Sequence, residues 1–295
     1  MFDERRDVSE GRAREAALRV GGIDYLNALP LLYGLESRTD PPLELSYHPP
    51  SQLASLLREG RLDLALVPVV AYVERPDYHI VPGVAISSYG PVRSIRLYHR
   101  RPLSEARTVA LDTSSRTSVL ITRLLYREVW GGDPRFVPLA PEDLRRRLRN
   151  DGDGLPDFDA ALLIGDAALS CSPYDGWEEV DLGGEWTRWS GLPSVYAFWV
   201  CRTPQGLPAG LVETFQQARD EGVARIDEII ASTELPDGVS ASACRHYLSQ
   251  VVHYDLRSDK REALELLFRK LREHGLLGGR DEPLRFLPSA VAAAL

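Results

Sequence analysis

The stretch LDTSSRTS, residues 111–118, gathers Thr113, Ser114, Ser115, Thr117 and Ser118 around Arg116. An apolar strand-like run, RTVALD, leads into it. Apolar residues at helical spacing, Leu120, Ile121, Leu124 and Leu125, follow it, with Gly131 beyond them. The hydroxyls therefore sit where a strand ends and a helix begins. The first turn of a helix carries unpaired N–H groups and the positive end of the dipole, so it favours an anion. Arg116 adds a forked cation that suits a carboxylate. Capping the helix alone needs a single Ser, Thr or Asp. The excess of donors points to anion binding through Thr113, Ser114, Ser115, Arg116 and Thr117. A carboxylate or a phosphate fits, and no glycine-rich P-loop is present.

Other residues are candidates by position. LLIGDAAL ends an apolar run with Gly165-Asp166, at the carboxyl edge of a parallel sheet, where ligands of open α/β folds lie. Asp166 could orient a substrate hydroxyl there, or simply cap a helix. Ser94 follows the turn SSYGPVR and, taken alone, reads as an ordinary strand serine; no G-x-S-x-G elbow surrounds it. Asn27 is a polar amide inside the apolar stretch GGIDYLNALPLLYGL, and its plain structural reading is a cap for the helix that starts at Pro30. The six histidines are scattered outside these motifs, so no metal site and no histidine base is indicated. Cys171, Cys201 and Cys244 form no C-x-x-C pair and fit reduced thiols of a cytoplasmic protein. Trp177, Trp186, Trp189 and Trp199 read as core and cleft wall.

The totals narrow the class. A chain of 295 residues, 44% hydrophobic and 26% charged, is long enough for two lobes with separate cores. A net charge of −8 argues against nucleic-acid binding, and the run EDLRRRLRN reads as a solvated helix face. No run of about 18 apolar residues exists, so nothing reads as membrane-spanning. Residues 1–17 are charged, lack an apolar core like that of a signal peptide, and read as a flexible lead-in.

The elements that must position these residues follow a strand–helix rhythm. LRVGGIDYL, residues 43–48, LDLALVPV, YHIVPGVAIS and RSIRLYHR read as strands; PSQLASLLREG reads as a helix capped by Ser51 and ended by Gly60. The rhythm restarts with RTVALD, the helix from 113, RFVPL, a helix opened by Pro141, the loop DGDGLPD, FDAALLIGDAAL and SVYAFWVCR. After residue 203 three helical segments remain. This pattern predicts two α/β lobes: residues 18–104 with 203–283, and residues 105–202, with a tail at 284–295. The chain would cross twice, near 103–107 and near 201–205, making a hinge and a central cleft.

IDYLNALPLLYGL, ISSYGPVRS, ALDTSSRTSV, DAALLIGDAAL and LGGEWTRWSGLPSVYAFWV occur in this order. Together they resemble the chorismate dehydratase family of the futalosine route to menaquinone, over about residues 18 to 277. The resemblance implies a two-lobe α/β fold like that of type 2 periplasmic binding proteins, with a ligand in the cleft between lobes. It implies that Asn27, in YLNALP, and Ser94, in GPVxS, are functional. It also implies a reaction: chorismate loses water to give 3-[(1-carboxyvinyl)oxy]benzoate, with no metal or redox cofactor. The departing proton lies γ to the ring carboxylate, so donors aimed at that carboxylate would stabilise the transition state. The base is open. Asp24 is not assigned, and the substrate's own enolpyruvyl carboxylate is one candidate. Two other readings compete: a carboxylate-binding protein without catalysis, which shares the fold, and the later enzyme of the same route that forms dihydroxynaphthoate. The partner expected is chorismate alone, with neither nucleic acid nor membrane, in the cytoplasm; the sequence is silent on oligomeric state.

Overall fold

The computed structural model describes residues 17–149, 157–173, 175–279 and 282–289. The expected lead-in, all but its last residue, and most of the DGDGLPD loop lie outside the described residues. The chain begins β1 (Leu18–Gly22), α1 (Leu29–Glu36), β2 (Leu43–Tyr47), α2 (Pro50–Arg58), β3 (Leu64–Pro68), a short α3 (Val69–Tyr72) and a long β4 (His79–Ser88). It continues with β5 (Ile95–His99), β6 (Thr108–Asp112), α4 (Arg116–Leu125), β7 (Arg135–Leu139), α5 (Pro141–Leu148), β8 (Ala160–Ile164), α6 (Gly165–Ser170), β9 (Glu178–Asp181) and α7 (Leu182–Ser190). β10 (Ser194–Cys201) precedes the helical end: α8 (Leu211–Ala224), α9 (Ile226–Ser232), α10 (Ala241–His246) and α11 (Ser258–Glu273).

Two five-stranded sheets result, ordered β2-β1-β3-β10-β4 and β7-β6-β8-β5-β9. In each, three parallel strands are joined by one antiparallel strand that arrives from a crossing: β10 beside β3, and β5 beside β8. The central strands β3 and β8 are buried along their whole length, as expected where both faces of a parallel sheet are covered. The first lobe is tightened where α8 crosses α1. A Cβ on Gly222 would lie 1.8 Å from the Pro30 carbonyl oxygen, and one on Gly34 would lie 2.6 Å from the Ala218 Cα. Only hydrogen fits at these positions, so the glycines let the two helices touch backbone to backbone.

The structure corrects several expectations. β5 belongs to the second sheet and β10 to the first, so the crossings fall at 89–94 and 191–193, not at 103–107 and 201–205. A strand's pairing partner is set across space, and an apolar run carries no label for its sheet. β9 and α7 are additional to the elements that the sequence pattern predicts. β9 is only four residues long and lacks an apolar face. Ser51 does not cap α2; the helix opens at Pro50, whose missing N–H needs no cap, and Gln52 N–H donates to the Pro49 carbonyl at 2.9 Å. The described part of the expected tail packs on β4: Ile80 N–H donates to Arg285 O at 2.8 Å, and Leu287 N–H donates to Ile80 O at 2.9 Å. Among the described residues no helix is long and apolar enough to cross a membrane.

Candidate active site

Between the sheets lies a cleft with a cavity volume of about 60 Å³. Ile23, Tyr25 and Asn27 reach it from the turn after β1. Pro68 comes from the end of β3, and Ile164 and Gly165 from the end of β8. Ser114, Ser115, Thr117 and Ser118 come from the turn after β6 and the start of α4. The ends of parallel strands thus converge on the cleft, with Ser94 and Ile95 arriving through the first crossing. Tyr196 and Ala197 of β10 complete the wall.

The α4 start is built from within. Asp112, wholly buried at the end of β6, accepts from Ser114 N–H at 2.8 Å, Ser114 Oγ at 2.5 Å and Ile164 N–H at 3.1 Å. Burial nonetheless pushes its carboxyl above the usual range. Ser115 caps α4, accepting from Ser118 N–H at 3.1 Å and donating to Ser118 Oγ at 2.9 Å. Thr117 is 1% exposed, lines the cleft, and its hydroxyl has no hydrogen-bond partner. An orphaned buried donor beside a helix N-terminus is a vacant place for an acceptor.

Two predicted ligands of the same stretch point elsewhere. Arg116 is exposed and pairs with Glu74, just beyond α3, in an outer groove that Thr113 also lines. Thr113 is exposed and holds β7 through its N–H to the Leu139 carbonyl at 3.1 Å. Successive residues at a helix start face different directions, so one motif serves both the cleft and its back. Asp166 also lies outside the cleft wall. It does not cap α6; its two carboxylate oxygens accept from Leu26 N–H, each at 3.2 Å, joining the lobes. Burial pushes its carboxyl up to about 6, against the Leu26 bond.

Ser94 is 1% exposed, and its carbonyl accepts from Gly165 N–H at 2.8 Å. The turn before it is held by Asp181, the N-cap of α7, which accepts from Val92 N–H at 2.9 Å, Arg93 N–H at 2.6 Å and Gly184 N–H at 3.0 Å. Arg93 has φ of 68°, a conformation few non-glycine residues adopt. Gly90 N–H donates to Thr187 Oγ1 at 2.9 Å. A Cβ on Gly183 would meet the Tyr196 hydroxyl at 2.6 Å and the Gly90 carbonyl at 2.7 Å, so α7 needs glycine to seat against the crossing.

Residues 18–273 match the family model described as menaquinone biosynthesis. The chain belongs to that family. It is 30% identical to the chorismate dehydratase of Thermus thermophilus over 68% of this chain and 76% of that protein. It is 22% identical to the chorismate dehydratase of Campylobacter jejuni over 83% of this chain and 93% of that protein. Solved structures similar to this family member include protein AF1704 from Archaeoglobus fulgidus, 16% identical, TM-score 0.68, covering 90% of this chain and 100% of that one. Another is the periplasmic aliphatic sulphonate binding protein SsuA from Escherichia coli, 18% identical, TM-score 0.60, covering 90% and 95%. These likenesses show the fold: this member of the menaquinone biosynthesis family has the two-lobed α/β architecture of periplasmic binding proteins.

Residues that position this family member's cleft escaped the sequence reading. Asp181 stands before Gly183-Gly184, a helix-start signal that could have been found. Tyr25, which lines the cleft with Ser114, and Tyr196, whose hydroxyl lies 2.7 Å from Ser88 Oγ, carried no signal distinct from core aromatics.

Proposed function

We propose that this protein is a chorismate dehydratase acting in menaquinone biosynthesis, and that it holds chorismate between Asn27 and Ser94 on one side and the start of α4 on the other. The observation that carries the site is the orphaned Thr117 hydroxyl, in the wall that Asn27 and Ser94 also line. Among the described residues lining the cleft, none is a lysine, arginine, histidine, cysteine or carboxylate. One carboxylate of the substrate is therefore held by neutral donors: the Thr117 hydroxyl and the N–H groups of the first turn of α4.

The chemistry follows from the donors. The C–H bond on the ring carbon bearing the ether breaks, and its electron pair spreads through the ring double bond into the ring carboxylate. Donors that tighten on that carboxylate lower the barrier. The pair then returns and expels the neighbouring hydroxyl, which leaves with a proton as water, and the ring becomes aromatic. Asn27 offers amide N–H donors to the leaving hydroxyl or a carboxylate, and Ser94 offers a hydroxyl that can do likewise. With no side-chain base in the wall, the proton goes to the substrate's own enolpyruvyl carboxylate, which passes it to the departing hydroxyl. Three buried free thiols agree with a cytoplasmic setting.

Incubation with chorismate, followed by chromatography and mass measurement, tests this. A product lighter by one water is expected, and Asn27→Ala and Ser94→Ala should each lower turnover by roughly a hundredfold. Unchanged chorismate from folded protein would overturn the reading. A pH–rate profile with a pKa that moves on substitution of one side chain would overturn the substrate-derived base.

A further inference from the structure

We infer that Tyr247, in the helical layer behind the cleft, is a positioning residue that sets the Ser94 hydroxyl as a hydrogen-bond donor to the bound substrate. The inference rests on the site proposed above. Tyr247 is 2% exposed, and its hydroxyl donates to Ser94 Oγ at 2.8 Å. The Asn27 side chain lies close enough to the same hydroxyl to act on it. The Tyr247 phenol therefore stands beside both Asn27 and Ser94, and donates to Ser94. The two proposed catalytic residues share a neighbour that is absent from the cleft wall.

The direction of the Tyr247–Ser94 bond is what matters. A serine hydroxyl has one proton and two acceptor positions. Tyr247 fills one acceptor position, and the Ser94 proton has no acceptor among the described residues, so it is left to face the cleft. Donors in series polarise one another, which strengthens the last one. The bond would run the other way if the phenol could ionise. Burial holds Tyr247 well above the usual tyrosine range, so it stays a donor throughout the working pH range.

The backbone explains how the phenol reaches its place. α10 does not continue as an α-helix; Tyr247–Val251 form a π-helical turn, and Val252 N–H closes it on the Tyr247 carbonyl at 3.0 Å. Such turns are rare and cluster at functional sites. Here the wide turn begins at the residue whose side chain meets Ser94.

A double-mutant cycle tests the inference, using the full-length protein and chorismate turnover. Tyr247→Phe keeps the ring and removes the donor. It should lower kcat by roughly ten- to a hundredfold with KM changed far less, since the interaction grows in the transition state. If Tyr247 acts through Ser94, the double variant with Ser94→Ala is no slower than Ser94→Ala alone. Losses that multiply, or a Tyr247→Phe enzyme with wild-type kcat, would overturn the inference while a slow Ser94→Ala leaves the site reading standing. A Ser94→Ala enzyme at full rate would overturn both. Should Tyr247→Phe fail to fold, 3-fluorotyrosine at position 247 keeps the ring and hydroxyl and alters only donor strength. A changed kcat then supports the inference, and an unchanged one overturns it.

Discussion

Thr117 and Arg116 are neighbours in sequence with opposite duties. Thr117 lines the cleft and its hydroxyl is buried with no partner; the Arg116 guanidinium is exposed and pairs with Glu74 behind it. Thr117→Val keeps the branched shape and removes the unsatisfied group. It should lower kcat/KM by roughly tenfold or more, while stability holds or rises by about 1 kcal/mol, measured by steady-state kinetics and urea unfolding. Arg116→Gln breaks only an exposed ion pair, so KM should move by less than about fivefold and stability by less than about 1 kcal/mol. A large rise in KM for Arg116→Gln would return that side chain to the cleft.

At the scale of elements, the first crossing is placed by the start of α7. Asp181 accepts from Val92, Arg93 and Gly184 N–H groups at once, so it caps a helix and pins the turn that delivers Ser94. Asp181→Ala loses more than a cap. Unfolding should show a loss of roughly 2–4 kcal/mol, above the usual range for a cap alone, and turnover should fall with it because Ser94 is no longer held. Gly183→Ala tests the same junction from the other side. Its Cβ collides with the Tyr196 hydroxyl and the Gly90 carbonyl, so a destabilisation of about 1–3 kcal/mol is expected in the same assay.

For the whole molecule, the lobes meet around the cleft through Leu26 N–H on Asp166 and Arg116 on Glu74. Asp166 makes this junction sensitive to pH. Burial raises its carboxyl from 3.8 to about 6, so between those values the folded protein holds a proton that the unfolded chain has released. Stability from this group therefore falls as pH rises from about 4 to about 6, and is level above that. Asp166→Asn removes the titration and keeps an acceptor for Leu26. Urea midpoints from pH 4 to 7 should show the wild type losing ground relative to the variant as pH rises to about 6.

The sequence by itself determined the class and most of the elements. Buried parallel strands such as LALVP and AALLI announce themselves by unbroken apolar runs, and the hydroxyl cluster after β6 announces a helix start. The motif order also pointed to the family that residues 18–273 match. What it could not carry was direction and distance. Which sheet takes β5 or β10 depends on a crossing that local residues do not encode. Whether Arg116 or Thr117 faces the cleft depends on the rotation of one helix start against the other lobe. Tyr247 stands 153 positions from Ser94 in the chain, inside a segment whose spacing reads only as an amphipathic helix. Only the tertiary structure brings its hydroxyl to that serine, because long-range packing, not local pattern, decides which buried donor meets which acceptor.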